Sequence, residues 1–304
     1  MRFREGGRLD TSGVSDRRGM GGGRGVAVGG GGLGLVGVII VVILQLTGGG
    51  GSGSSGGSGF GGLAGLGNGD QADNTQLDQR CQEVGDANAS EECAVVAEID
   101  SIQEYWGQTL GGRYTETDTV FFQGSVQTSC GAASSGSGPF YCPGDQQVYI
   151  DLSFFDQLKT QFGAQGGTFV DAYVLAHEYG HHVQDILGTN KQVTPGDTGA
   201  TSGSVRLELQ ADCYAGTWAN HATTVPDASG QPLITEINAD DINRALDAAS
   251  RIGDDFIQTN LGSGRVDQNS FTHGSSEQRQ KWFTTGYQSG DPNQCDTFGT
   301  GNLG

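Results

Sequence analysis

The sequence has few basic residues for its length. It carries 16 Lys and Arg against 35 Asp and Glu in 304 residues, a formal net charge of −19. Six of the basic residues precede Asp70, so the rest of the chain is more acidic still. A surface of this sign repels the phosphates of nucleic acids and anionic lipid headgroups. We therefore expect no nucleic-acid partner.

The sequence also lacks cysteine pairs at the CxxC spacing of cysteine–metal sites. All six cysteines lie beyond residue 80. An even number of cysteines without that spacing favours disulfides, and hence an oxidising compartment. Proximity along the chain suggests three pairs, although other connectivities stay open: Cys81 with Cys93, Cys130 with Cys142, and Cys213 with Cys295.

Apolar residues are scarce in most of the first 69 residues, where glycine and serine are frequent, so this part is expected not to fold. Residues 26–46, however, have no charge and predict one transmembrane helix. Arginine is in excess before them, which predicts a cytoplasmic basic tail at residues 1–25. Residues 47–74 would then form a Gly/Ser-rich linker, and residues 75–304 an extracytoplasmic domain. A cleaved signal peptide is the alternative.

The spacing of apolar residues beyond the linker predicts an α+β domain that is mainly helical, with a small sheet. One helix is expected at Glu91–Leu110, with Ser90 as its N-cap. Another is expected to begin at Ser153, with Asp156 completing a capping box, and to end near Gly163.

Strand signals occur at residues 120–122 and 147–152, where apolar and polar residues alternate. We expect the part at 148–152 to lie at the edge of the sheet. An extended peptide substrate could pair with a strand in that position.

Residues 168–187 have a helical pattern that Gly188 ends. Within it, His177, Glu178 and His181 form an HExxH motif. Two histidines four residues apart lie on one face of a helix, so both imidazoles can reach one Zn²⁺ ion at about 2.0–2.1 Å. Glu178 is then expected to hold a zinc-activated water molecule and to act as the general base.

A third metal ligand is available in a second predicted helix at residues 205–212. Glu208 can supply a carboxylate oxygen to the zinc ion. Asp212 lies one turn further along the same face and can accept a hydrogen bond from the far N–H of a ligating histidine. This hydrogen bond would fix the tautomer of that histidine. The two acidic residues make the zinc prediction much more specific than the HExxH pattern alone.

These motifs resemble the predicted neutral zinc metallopeptidases of bacteria, single-span proteins within the broader class of HExxH-plus-Glu zincins. The matching residues are 177–182 (HEYGHH) with Val183 and Gln184, 208–216 (ELQADCYAG) and 273–279 (HGSSEQR). The similarity runs from about Arg80 to Asp291 and includes the basic N-terminus and the apolar span. The resemblance implies a zincin-like, mainly helical fold, but it implies no substrate, because members are assigned as peptidases by motif.

The sequence thus predicts a peptidase with one Zn²⁺ ion that cleaves proteins or peptides outside the cytoplasm, and endopeptidase action is favoured. His273 is the candidate donor to the oxyanion of the tetrahedral intermediate. Two alternatives stay open: a catalytically inactive surface module that binds zinc, and a zinc hydrolase of a non-peptide bond. The expected partners are a protein or peptide substrate and a membrane, and no oligomeric state is predicted.

Three further residues near the motifs have competing interpretations. His182 points about a quarter-turn away from His181 and is expected to be structural. Asp185 either supports His181 or is simply exposed. Arg279 is expected to pair with an acidic side chain rather than with a substrate carboxylate.

Overall fold

A computed structural model describes residues 1–18 and 72–304 of the chain. Its architecture is mixed α+β and mainly helical, as predicted. The α-helices are α1 (Thr75–Arg80), α2 (Glu91–Leu110), α3 (Ser153–Thr160), α4 (Thr168–Leu187), α5 (Gly203–His221), α6 (Ala239–Arg251), α7 (Asp254–Asn260) and α8 (Ser276–Ser289). The strands are β1 (Arg2–Phe3), β2 (Val14–Asp16), β3 (Thr119–Phe121), β4 (Ser125–Thr128), β5 (Gly131–Ser134), β6 (Phe140–Cys142), β7 (Gln147–Ile150) and β8 (Ile234–Glu236).

Capping residues set the bounds of the two longest helices, and both predictions are confirmed. Helix α2 begins after Ser90, whose side chain accepts a hydrogen bond from the backbone N–H of Cys93. Helix α4 ends at Gly188, which adopts the left-handed conformation with φ 75°. Glycine reaches that conformation without steric penalty, and it therefore terminates the helix.

Helix α3 begins at Ser153 as predicted, but its capping differs from the prediction. Ser153 does not cap this helix; instead its backbone N–H donates to Oδ1 of Asp151 at 3.0 Å. The helix ends at Thr160, three residues before Gly163. The capping-box interpretation was therefore wrong, because the acidic residue that accepts the hydrogen bond precedes the helix.

The largest sheet in the described part of the chain has the order β2-β3-β7-β6, with β6 antiparallel to β7 and the other pairs parallel. Strand β7 is therefore an interior strand, and its Val148 pairs with Thr119 on one side and Tyr141 on the other. The expectation that residues 148–152 form a free edge is wrong. Both hydrogen-bonding sides of this strand are already used, and Val148 and Ile150 are fully buried.

Residues 1–18 are part of the folded unit. Strand β2 pairs in parallel with β3, and β1 pairs with β8. Phe3, Leu9 and Val14 lie in the same hydrophobic core as the helices. The expectation that most of the first 69 residues do not fold is therefore wrong for residues 1–18. Glycine and serine dominate the composition of residues 1–69, so the composition did not indicate that these three apolar residues are buried.

These contacts also bear on the predicted division of the chain. A membrane crossed once by residues 26–46 would keep residues 1–18 and residues 72–304 on opposite sides. Contacts between the two described segments do not fit that arrangement, because they require both to lie on one side. The separate cytoplasmic tail predicted for residues 1–25 is thus not compatible with the packing of residues 1–18.

No helix within residues 1–18 and 72–304 is long and apolar enough to span a membrane. The span predicted at residues 26–46 lies outside the described residues, and so does most of the linker predicted at 47–74.

Three disulfides join the cysteines in the predicted pairs, with Cα–Cα distances of 5.3, 5.8 and 5.6 Å, respectively: Cys81–Cys93, Cys130–Cys142 and Cys213–Cys295. These distances lie in the usual range for a disulfide. The third pair connects α5 to the C-terminal segment that follows α8, so it helps to hold in place the helix that carries Glu208.

Candidate metal centre

The HExxH motif lies in the middle of α4, which packs against α5. Gly180 allows this close approach. A Cβ atom at Gly180 would lie 3.0 Å from the Cα atom of Ala211 on α5, which is tighter than ordinary contact. Because the two helices lie so close, the side chain of Glu208 on α5 reaches the face of α4 that carries both motif histidines.

Three buried side chains converge at this helix contact. Ligand atoms of His177, His181 and Glu208 all lie within 4.8 Å of one another. Nε2 of His177 is 3.2 Å from Oε2 of Glu208, and Nε2 of His181 is 3.4 Å from Oε1 of Glu208. Two ligands at zinc-bond distances from one tetrahedral ion lie about 3.3 Å apart. The donor set and its spacing therefore fit a zinc ion.

Asp212 orients His177. Its Oδ1 is 2.9 Å from Nδ1 of His177, so that nitrogen donates a hydrogen bond to the carboxylate and Nε2 is the nitrogen that can bind a metal ion. Asp212 also accepts hydrogen bonds from the Tyr173 hydroxyl at 2.6 Å and from Nε of Arg279 at 2.8 Å. Arg279 is buried and pairs with this acid, as expected from the sequence.

Gln184 has the same relation to His181. Nδ1 of His181 is 2.9 Å from Oε1 of Gln184, and the Gln184 amide in turn donates to the Leu207 carbonyl at 2.7 Å. This role of Gln184 was not predicted, although its spacing of three residues from His181 on one helix was a usable signal. Asp185 does not support His181; it accepts hydrogen bonds from Tyr141 and Asn190 instead.

Burial and charge act in opposite directions on the ionisable groups of the centre. Burial favours the neutral form of Glu208, but His181 and His177 outweigh it and hold the pKa of Glu208 below its usual range. Burial likewise opposes ionisation of Asp212, yet Arg279 and His177 lower its pKa to about 2. Burial disfavours a charged His177, but Asp212 prevails and raises the pKa of His177 to about 10. A metal ion must therefore displace a proton from His177 when it binds.

A cavity beside the centre is lined by both of the other predicted site residues, Glu178 and His273. Glu178 is buried, and burial raises its pKa. Nδ1 of His273 lies 2.9 Å from Thr272 Oγ1 and 3.3 Å from Asp254 Oδ1. Its Nε2 is buried and has no hydrogen-bond partner among residues 1–18 and 72–304. Because His273 lines the cavity, a group that enters the cavity lies beside this side chain.

Asp254 is a second residue that the sequence analysis did not identify. Its Oδ2 accepts hydrogen bonds from the backbone N–H groups of Thr272, His273 and Gly274, at 2.8, 2.8 and 3.0 Å. Asp254 therefore fixes the loop that carries His273, while its other oxygen faces the imidazole. No motif links it to His273, because 19 residues separate the two.

His182 has a structural environment, as expected. Its Nδ1 is 3.1 Å from the Tyr141 hydroxyl, and its Nε2 is 2.7 Å from the Thr115 carbonyl oxygen. Both ring nitrogens are thus engaged away from the His-His-Glu cluster.

The fold and the site place the chain among mixed α+β proteins in which a buried His-His-Glu cluster between two helices can hold a metal ion. The chain belongs to the family described as "Putative neutral zinc metallopeptidase", whose model matches residues 1–298. The family confirms the resemblance found from the motifs, and it implies zinc as the metal of this centre.

Relatives of the chain occur in mycobacteria and in Escherichia coli. It is 50% identical over 226 residues to the uncharacterized protein Rv2575 of Mycobacterium tuberculosis, covering 74% of this chain and 76% of the relative. It is 45% identical over 209 residues to the uncharacterized protein YpfJ of Escherichia coli K12, covering 66% and 69%, respectively. No solved structure matches the chain significantly, so the zincin-like fold stays a prediction.

Proposed function

We propose that this protein is a zinc-dependent peptidase that hydrolyses peptide bonds of proteins or peptides outside the cytoplasm. The observation that carries the proposal is the convergence of His177, His181 and Glu208 beside a cavity that Glu178 also lines. A metal centre and an acid–base group therefore face the same space. The family description supports the zinc peptidase class.

The number of ligands favours a catalytic site over a structural one. The cluster holds three His, Cys, Asp or Glu side chains, and none of these types adds a fourth among residues 1–18 and 72–304. Structural zinc sites usually have four protein ligands, whereas catalytic sites leave one position open. When bound, zinc supplies Lewis acidity that activates a water molecule and polarises a carbonyl group.

Glu178 is the proposed general base. It lies next to His177 on α4 and lines the cavity, so its carboxylate can accept a proton from a water molecule that attacks the peptide carbonyl. It can then deliver that proton to the leaving amine. Burial raises the pKa of Glu178, which makes the carboxylate a stronger base than an exposed one.

His273 is the proposed donor to the developing oxyanion. Its Nδ1 is engaged by Thr272 and Asp254, so the imidazole is held in place, and its Nε2 has no hydrogen-bond partner in the described part of the chain. A protonated Nε2 would donate a hydrogen bond to the carbonyl oxygen of the substrate.

The proposed compartment rests on the disulfides. Three disulfides and no free cysteine in the described part of the chain fit an oxidising environment, as found outside the cytoplasm. Residues 1–18 would then lie in the same compartment, because they pack into the domain. The membrane span predicted at residues 26–46 lies outside the described residues, and a single crossing there does not fit this packing.

The experiment compares zinc content and cleavage of casein and a peptide library by the full chain and three variants. The wild type should hold about one zinc ion and cleave. Glu178→Gln should keep zinc and lose cleavage, and Glu208→Ala should lose both. Glu236→Gln changes an exposed glutamate and should behave as the wild type.

The other outcomes separate the alternatives. Stoichiometric zinc without cleavage of any peptide would favour the inactive binding module. Hydrolysis of ester or amide substrates that are not peptides, with no peptide cleavage, would favour a different hydrolase. Absence of bound zinc in the wild type would contradict the proposal altogether.

A further inference from the structure

The cavity beside the metal centre has a volume of about 280 Å³. His177, Glu178 and His273 lie on its wall, so a group bound in it is next to the reacting atoms. The rest of the wall is largely apolar and comes from four separate segments of the chain: Phe154, Phe162, Val174, Ile252 and Ile257.

The cavity extends along α4 from the catalytic glutamate. Val174 lies four residues before Glu178, so the two side chains lie on one face of the helix, one turn apart. A substituent of a peptide whose carbonyl group lies beside Glu178 can therefore extend past Val174 into the cavity. The cavity is therefore placed to receive one side chain of the peptide, next to the bond that is cleaved.

Two charged residues of the wall, Arg279 and Asp254, are already paired. Both Nε and Nη2 of Arg279 donate to Asp212, at 2.8 and 3.0 Å, and Nη1 lies 3.4 Å from the Ile252 carbonyl oxygen. Asp254 accepts three backbone N–H groups and faces His273. A charged side chain that enters the cavity would lose its water shell, and neither Arg279 nor Asp254 would be free to act as its counter-ion.

The volume suits a large side chain. An engineered cavity of about 150 Å³ with an apolar lining stays dry and binds benzene. The present cavity is larger, so it has room for a phenyl ring or a long aliphatic chain. Glycine or alanine would leave most of it unfilled.

We propose that this cavity binds one bulky apolar side chain, aromatic or long aliphatic, of a peptide beside the bond to be cleaved. This inference rests on the proposed peptidase function, because the cavity can determine cleavage specificity only if the protein cleaves peptides. Binding of the apolar side chain itself can be measured separately from hydrolysis.

The test uses peptides acetyl-Ala-Ala-X-Ala-Ala-amide, with Phe, Leu, Ala, Asp or Lys at X. Cleavage by the zinc-loaded full chain should occur next to Phe or Leu, with kcat/KM about 10- to 200-fold above that for Ala. Asp and Lys should be no better than Ala. Equal rates for all five peptides, or preference for Asp, would overturn the inference.

A second measurement does not depend on turnover. Zinc-loaded Glu178→Gln is titrated with the same peptides by calorimetry, where the Phe peptide should bind more tightly than the Asp peptide. Its binding should also show a more negative heat-capacity change, the mark of apolar burial. If the wild type cleaves nothing while this discrimination persists, the peptidase proposal fails and the pocket inference stands.

Two matched variants test whether the preference for Phe depends on the cavity wall. Ile257→Lys places a charge in the cavity wall, and Ile257 is only partly buried, so the fold should tolerate it. This variant should lose at least tenfold of the preference for Phe over Asp. Val266→Lys changes an apolar residue that is 48% exposed and outside the cavity, and it should keep the wild-type preference. An unchanged preference in correctly folded Ile257→Lys would refute the assignment.

Discussion

Replacing Asp212 with asparagine separates the structural role of this residue from its role at the metal. Asp212 is fully buried and contacts His177, Tyr173 and Arg279. Asparagine keeps the size of the side chain but removes its charge. The variant should therefore keep the fold at low temperature, while both the stability of the protein and its zinc affinity decrease.

Two magnitudes follow from the contacts. Arg279 is 1% exposed and would lose the one anionic partner that it has in the described part of the chain, and an uncompensated buried charge costs about 3–5 kcal/mol of unfolding free energy. Loss of the carboxylate that orients a ligating histidine lowers metal affinity by about 10- to 100-fold. At about 1.4 kcal/mol for each tenfold change, this is about 1.4–2.8 kcal/mol of binding free energy.

Urea unfolding of the metal-free protein measures the first effect, and competition with a zinc chelator measures the second. Asp240→Asn is the matched control, because Asp240 forms an exposed ion pair with Arg244 four residues away. That pair contributes about 0.3–0.5 kcal/mol. The control should therefore unfold close to the wild type and keep its zinc affinity.

A double variant tests the reasoning further. Adding Arg279→Met to Asp212→Asn removes the uncompensated charge, so much of the lost stability should return. Zinc affinity should stay low, because His177 still lacks its carboxylate. Suppose that Asp212→Asn alone unfolds at the same urea concentration as the control and binds zinc within twofold of the wild-type affinity. The buried-charge argument would then be wrong.

Three further predictions concern other buried side chains. Gln184→Leu should lower zinc affinity about 10- to 100-fold, whereas exposed Gln161→Leu should not; equal affinities by chelator competition would contradict the role of the amide. Burial raises the pKa of Asp171 to about 8, so the stability contributed by its protonated form is complete below its unfolded value near 3.8 and is lost as pH rises through about 8. Thermal unfolding of Asp171→Asn should therefore depend less on pH between 5 and 9, and an unchanged slope would refute this. Phe3→Ala should cost about 3–5 kcal/mol in urea unfolding, and Arg2→Ala much less; similar values would mean that residues 1–18 do not pack as described.

The sequence predicted those features that depend on spacing within one helix. The bounds of α4, the common face of His177 and His181, and the cap at Ser90 all follow from helical periodicity and local hydrogen bonding. The three disulfides were also predicted, because two of the pairs are close in the chain and leave only one possible third pair.

Features that depend on contacts between distant segments could not be predicted. Asp254 reaches His273 across 19 residues, and the cavity wall combines side chains from several elements. The prediction that residues 1–18 do not fold was wrong for a related reason. Their few apolar residues are too sparse to form a core, and their burial depends on a sheet and helices that come much later in the chain.

Close backbone packing at glycines explains how the motifs become one site. Besides Gly180 between α4 and α5, Gly216 on α5 and Gly286 on α8 lie where an added Cβ would overlap backbone atoms of the facing helix. Side chains at these positions would push α8 away from α5, and Arg279 on α8 would then lose contact with Asp212 on α5. Because Asp212 orients His177, such a displacement would reach the metal centre although neither of these two glycines belongs to the ligand cluster. Gly216 on α5 and Gly286 on α8 thus determine the packing that holds the Asp212–Arg279 ion pair beside the ligand cluster, which the HExxH spacing alone does not determine.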